Sequence, residues 1–142
     1  MSLSLDPRPF SSKTFTVGHN TPLLCDPGPW SNTRFVRFKN IEPTVGGIRL
    51  FIRIIDAAAG APVAADLTEA NSLILDPQEA ITFDLGPEGE RYSLGTVTPN
   101  AAQSAYAIRL AIYFLSDPLA PAPGLTKVNV TFVQCRGYTG PA

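Results

Sequence analysis

Between its turns this chain alternates, and that alternation constrains the fold more than any other feature. In Ile48–Ile55 the side chains of Ile48, Leu50, Ile52 and Ile54 share one side, and those of Arg49, Phe51, Arg53 and Ile55 the other. Val36 and Phe38 alternate with Phe35, Arg37 and Lys39; Ile81, Phe83 and Leu85 with Ala80, Thr82 and Asp84; Val128, Val130 and Phe132 with Lys127, Asn129 and Thr131. A period of two in β-branched and aromatic residues is the pattern of a half-buried strand, because successive side chains on a strand point to opposite faces. Shorter runs at Lys13–Val17, Pro22–Cys25, Ser72–Leu75 and Tyr92–Val97 bring the expectation to eight or nine strands.

The gaps between these runs are built to turn. The chain holds 14 prolines and 11 glycines. Asp-Pro occurs at Asp6, Asp26, Asp76 and Asp117. Asp bonds backbone two residues on, while Pro fixes φ and removes a donor, so each pair reads as a turn. Many short strands punctuated this way indicate an all-β chain, an antiparallel sandwich or barrel. At 142 residues it suits one domain.

Two segments resist the pattern. Ala57–Ala70 is alanine-rich and reads as a short helix or a loose excursion. Residues 99–115 have Asn100 as a plausible N-cap and several alanines, which suits a helix. Within them, however, Tyr106, Ile108, Leu110, Ile112 and Phe114 alternate without a miss, so Ala105–Phe114 is expected as a strand. It repeats the I-R-L of the earlier strand, with Arg109 in the place of Arg49.

The ends differ from the middle. Residues 1–11 contain Asp6-Pro7-Arg8-Pro9-Phe10 and read as an extended arm, 12–136 as a single sandwich domain, and 137–142, with Tyr138, as a tail. Such arms commonly order against a neighbour.

Composition excludes several functions. With 11 basic and 12 acidic residues the net charge is −1, giving no global field for nucleic acid or an anionic membrane surface. No apolar run reaches the length of a membrane-spanning helix. The N-terminus lacks the basic and apolar regions of a signal peptide, so use without secretion is expected. Cys25 and Cys135 fall short of a disulfide framework; one bridge between them would tie the two ends, but buried free thiols are the expected state.

Catalytic and metal signatures are missing from the sequence. The lone histidine, His19, sits in a Gly-His-Asn turn with no nucleophile motif to serve. His19, Cys25 and Cys135 lack the spacing of a zinc site. Asp84, Glu88 and Glu90 cluster at a strand end and turn, where a solvated surface is the expected reading over a glycosidase pair. Asn129-Val130-Thr131 is a formal glycosylation sequon but falls inside an expected strand. No cofactor is expected, and the chain is not expected to be an enzyme.

What remains is binding. The charged fraction, 16%, is well below the ~25% usual for soluble domains, which suggests that part of the outer surface is covered. Trp30 lies in a Pro/Gly loop where it could anchor a protein contact or stack on a sugar. The face opposite the apolar side of the I-R-L strands carries Arg49, Arg53 and Arg109 beside Phe51, Ile55, Ala111 and Tyr113. Arginine among aromatics is typical of interfaces. Candidate interface residues are therefore Pro7, Arg8, Pro9, Phe10, Trp30, Arg49, Phe51, Arg53, Arg109, Tyr113 and Tyr138.

The order of F-T-V-G (Phe15–Gly18), R-F-V-R-F-K, I-R-L-F-I-R-I and L-I-L-D-P-Q-E-A-I-T-F-D-L-G (Leu73–Gly86) resembles the small cement or decoration proteins of tailed-bacteriophage capsids. That resemblance implies a jelly-roll-like sandwich, with the apolar faces of the two I-R-L strands meeting across the core. It also implies homo-oligomers or adjoining copies on a virion surface, with arms reaching over the major capsid protein. The alternative is a carbohydrate- or receptor-binding module using Trp30 with Tyr92 or Tyr106.

Overall fold

The computed structural model describes residues 10–26, 33–84, 92–94 and 108–134. Among these are nine strands: β1 (Phe10–Val17), β2 (Leu23–Leu24), β3 (Thr33–Asn40), β4 (Leu50–Asp56), β5 (Leu73–Leu75), β6 (Ala80–Asp84), β7 (Tyr92–Leu94), β8 (Ile108–Ser116) and β9 (Thr126–Gln134). Each expected strand has its counterpart. The I-R-L segment near the C-terminus is β8, a strand and not a helix, because pairing with β4 along its length outweighs the local preference of its alanines.

Two sheets form, with orders β1-β9-β3-β6 and β2-β8-β4-β5; β7 adds to the same edge of β8 as β2 in the one parallel pairing described. With β7 set aside, the chain changes sheet at every connection except β4 to β5. The strands at the two chain ends thereby lie beside one another, β1 on β9 and β2 on β8. This is the doubly wound Greek-key path of a jelly roll.

The core lies between the sheets. Val17, Val36, Phe38, Val128, Val130 and Phe132 meet Leu50, Ile52, Ile112 and Phe114, all fully or nearly fully buried. The rings of Phe38 and Phe114 join the sheets edge to face, centroids 5.6 Å apart at 80°. Every one of these residues stands on the apolar side of an alternating run.

Two expectations are corrected. The two I-R-L strands do not face each other across the core: β4 and β8 are hydrogen-bonded neighbours in one sheet, with Arg53 opposite Tyr113 and Ile54 opposite Ile112. The polar ladder also begins earlier than expected, since Phe10 and Ser11, assigned to the arm, pair with Val133 and Phe132. The prolines at 7 and 9 cannot complete a ladder, but they do not prevent one from starting at the next residue. Ala57–Ala70, expected as a short helix or a loose excursion, takes the first form, in two pieces. It contains two 3-10 turns, Ala57–Ala59 and Ala64–Asp66, the first capped by Asp56 Oδ1 accepting from the Ala58 N–H at 2.9 Å.

Four connections converge at one end of the sandwich and are bonded to one another. The Ser116 N–H donates to the Gly18 carbonyl (2.9 Å), Gln78 to Asn40 (2.8 Å), and Ile41 to Lys127 (3.0 Å). Gly47 is needed here, since a Cβ on it would stand 2.3 Å from the Pro43 carbonyl oxygen. The Asp76-Pro77-Gln78-Glu79 turn closes with the Glu79 N–H on the Asp76 carbonyl at 2.9 Å. Gln78 takes the positive φ (73°) that position i+2 of a type II turn requires.

Candidate interface surfaces

The outer face of the β2-β8-β4-β5 sheet is where the sequence places the arginines, and here it is covered by the chain itself. Residues 57–72 leave β4 and run back over the sheet as a strap before β5. Leu67 is the strap's buried anchor, packed with Phe51 and Leu115 and flanked by Ala64 and Ile74. Ala111 and Tyr113 on the same sheet are buried as well. Phe51 and Tyr113 are thus corrected as interface candidates: their apolar surface is taken up within one chain, so nothing is left for a partner.

Arg49 and Arg53 hold the strap down. Arg49 Nη2 lies 2.9 Å from Glu69 Oε1 on the strap and 3.0 Å from Asp117 Oδ2 at the end of β8. Its guanidinium stands 5.6 Å from the centroid of the Phe51 ring. Bonding to Glu69 and then to Asp117 raises the Arg49 pKa above its ordinary value, keeping the group charged. Arg53 Nη1 donates to the Asp66 carbonyl at 2.9 Å. Arg109 pairs in β8 with Ser93 of β7 through its backbone.

The exposed apolar residues lie elsewhere. At the converged loop end, Val45 is 88% exposed and Leu119 70% exposed. Between them runs an open cleft of about 480 Å³ lined by Gly46, Ile48, Arg49, Asp117, Leu119 and Pro121. Leu119 also lines a second hollow of about 440 Å³ between the strap and Pro118. Sequence reading missed this end; the available signal was apolar residues stranded in turn-rich loops, T-V-G-G and L-A-P-A-P-G.

The outer face of the β1-β9-β3-β6 sheet is uncovered and mostly polar. Ser12, Thr14, Thr16, Arg37, Lys127 and Thr82 point outward and are exposed. Asn129, the sequon residue, lies in β9, and its Nδ2 donates to Ser12 Oγ on β1 at 3.0 Å. Phe10, at the start of this face, is the one arm candidate within the described residues. Pro7, Arg8, Pro9, Trp30, Tyr138, Glu88, Glu90 and Cys135 lie outside them.

Cys25 is a buried free thiol, and burial pushes its pKa up to about 12, with Asp26 adding to the shift and Lys13 opposing it. His19 lies in the β1–β2 connection as expected. Among the described residues, no group of three His, Cys, Asp or Glu side chains is placed to hold a metal, and no helix is long and apolar enough to cross a membrane.

No protein-family model matches the chain, and no curated protein matches it. Among solved structures it is similar to the coat protein of Tobacco streak virus, at 14% identity over 99% of this chain and 96% of that one, with a TM-score of 0.37. So low a score fixes neither fold nor role; the jelly roll stands on the strand connections alone.

Proposed function

We propose that this chain is a non-enzymatic structural protein of a viral shell, a cement or decoration protein that reinforces an assembled capsid through protein–protein contacts. The observation that carries this reading is the apolar loop end of the jelly roll. Val45, Leu119 and Leu125 stand exposed beside prolines, alanines and glycines, on a rigid end stitched by backbone hydrogen bonds. Exposed apolar groups on a firm support favour a protein partner, because their burial is favourable while little conformational freedom is lost. The partners in this reading are the major capsid protein and copies of the chain itself, at the virion surface, with residues 1–9, the Trp30 loop and the 137–142 tail reaching over neighbours.

Expanded capsid shells lacking decoration provide the test. The purified chain should co-sediment with them and raise the temperature at which they rupture, and Val45→Asp with Leu119→Asp should abolish both effects. Deleting residues 1–9 should reduce the rupture temperature gained. A chain that stays in the supernatant, or whose binding ignores the two substitutions, would exclude this role for the loop end.

A further inference from the structure

Among the described residues β1 is the edge of its four-stranded sheet and pairs on one side only, with β9. At eight residues it is the longest edge strand described; β6 has five, β5 three and β2 two. A long edge presents a row of unpaired backbone donors and acceptors, a template for another strand. Nothing in F-S-S-K-T-F-T-V blocks it: there is no proline, and Lys13 lies on the side of Phe15 and Val17, where Nζ donates to the Asp26 carbonyl at 3.3 Å. The outward residues are Phe10, Ser12, Thr14 and Thr16, all exposed.

An exposed hydrophobic group stands at each end of this edge. Phe10, which opens β1, is 68% exposed, and Leu125 is 63% exposed. Extending the Val17–Thr126 register by one residue sets Leu125 opposite Gly18, and a Cβ on Gly18 would lie 4.0 Å from Leu125 Cδ2.

We propose that two copies of the chain join edge to edge through β1, antiparallel about a two-fold axis centred on Thr14. Residues directly opposite in an antiparallel pair share a face, so the axis must pass through a residue position, not between two. Centring on Lys13 would bring two ammonium groups together. Centring on Thr14 sets Thr14 against Thr14 of the second copy, Ser12 against its Thr16, and Phe10 against its Gly18. Small hydroxyl pairs hydrogen-bond across strands. Each Phe10 ring crosses a glycine that offers no side chain and reaches Leu125 beyond it, the aromatic-over-glycine arrangement that stabilises sheets. The two-fold axis makes that contact twice, which is the self-complementarity a closed dimer needs. Two four-stranded sheets become one continuous sheet. This pairing does not rest on the capsid reading and is measured on the purified chain with no shell present.

Light scattering on a concentration series of the full chain tests it. Wild type should show the mass of two chains. Thr14→Lys, at an exposed position, should give a folded monomer by circular dichroism, whereas Thr14→Val should keep the dimer. Phe10→Ser and Leu125→Ser should each weaken association at least about tenfold without involving Thr14. Amides of β1 that point away from β9 should exchange more slowly as concentration rises. A wild-type monomer at all concentrations overturns the proposal. So does a dimer of unchanged affinity in Thr14→Lys and Phe10→Ser, which would place the contact elsewhere, or slow β1 exchange at monomer mass, which would mean that the edge is covered by the chain itself.

Discussion

Arg49 and Asp117 are joined by side chain and main chain at once. Arg49 Nε donates to Asp117 Oδ2 at 3.0 Å, and the Asp117 N–H donates to the Arg49 carbonyl at 3.0 Å. Asp117 directly follows β8 and Arg49 directly precedes β4, so the contact fixes where the two central strands of one sheet enter the loop end. Asp117 Oδ1 also accepts the Leu119 N–H at 2.9 Å, which sets the turn that presents Leu119. Asp117→Ala should lower unfolding free energy by about 1–3 kcal/mol, because two donors lose a charged acceptor that is itself buried. Asp117→Asn, which retains an acceptor for Leu119, should cost less, and urea midpoints of the two variants would rank them. Equal midpoints would show that the acceptor kept for Leu119 contributes nothing and that the loss is that of the charge.

The strap gives a local version of the same measurement. Leu67 is its buried anchor, and Phe51 and Leu115 are covered beneath it. Leu67→Ala should cost about 2–4 kcal/mol through lost burial and the cavity left behind. Amides of residues 57–70 should then exchange faster, while those of β3 and β9 change only with global stability. An exchange pattern that loosens uniformly would mean that the strap is part of the main cooperative unit.

This strap also marks the limit of what the sequence discloses. The inward residues of β4 and β9 were legible because each needs only its own neighbours' polarity: Leu50 and Ile52 between arginines, Val128 and Val130 around Asn129. Phe51 was legible as an apolar residue on the outer side, but not as a buried one. What buries it is Leu67, in an alanine-rich stretch with no period of its own, brought there by a long-range path. The partners of Arg49 were hidden for the same reason: Glu69 and Asp117 are 20 and 68 residues away in the chain. Phe10 reads as arm because prolines at 7 and 9 forbid a ladder locally. Its pairing is supplied by β9, near the other end of the chain.

Cys25 makes stability pH-dependent in the alkaline range. Burial raises its folded pKa to about 12, above the ordinary thiol value of 9.0. The folded state therefore favours the neutral thiol. Its contribution is fully present below pH 9, and is lost as pH rises toward 12, because the unfolded chain ionises first. The slope in that window approaches about 1.4 kcal/mol per pH unit. Comparing unfolding free energies of wild type and Cys25→Ala from pH 8 to 11 should show a steeper decline in wild type, separating this thiol from lysines and tyrosines that titrate in both. Native-state alkylation followed by peptide mass spectrometry should leave Cys25 unmodified at pH 8. Parallel curves, or a labelled Cys25, would show that the thiol is reached by solvent.

Asn40 is the most demanding polar position in the core, and its replacements should separate by chemistry more than by size. Fully buried at the end of β3, it donates through Nδ2 to the carbonyls of Ile48 and Leu75, each at 3.0 Å, and accepts the Glu42 N–H on Oδ1 at 3.0 Å. Its backbone completes the knot, the N–H donating to Glu79 and the carbonyl accepting from Gln78. One side chain thus ties the β3–β4 connection to β5, and with them the loop end that carries Val45. Asn40→Leu fills similar space but abandons three hydrogen-bonding groups, one buried and two partly buried, and should cost about 2–4 kcal/mol. Asn40→Asp should be at least as damaging at pH 7, because its second oxygen confronts two carbonyl oxygens where a donor is required. Protonation restores a single donor, so that variant alone should regain stability relative to wild type as pH falls through the carboxyl range. Guanidinium unfolding at pH 7 and pH 4 would resolve the difference, and an Asn40→Asp chain no less stable than wild type at pH 7 would overturn the assigned orientation of the amide.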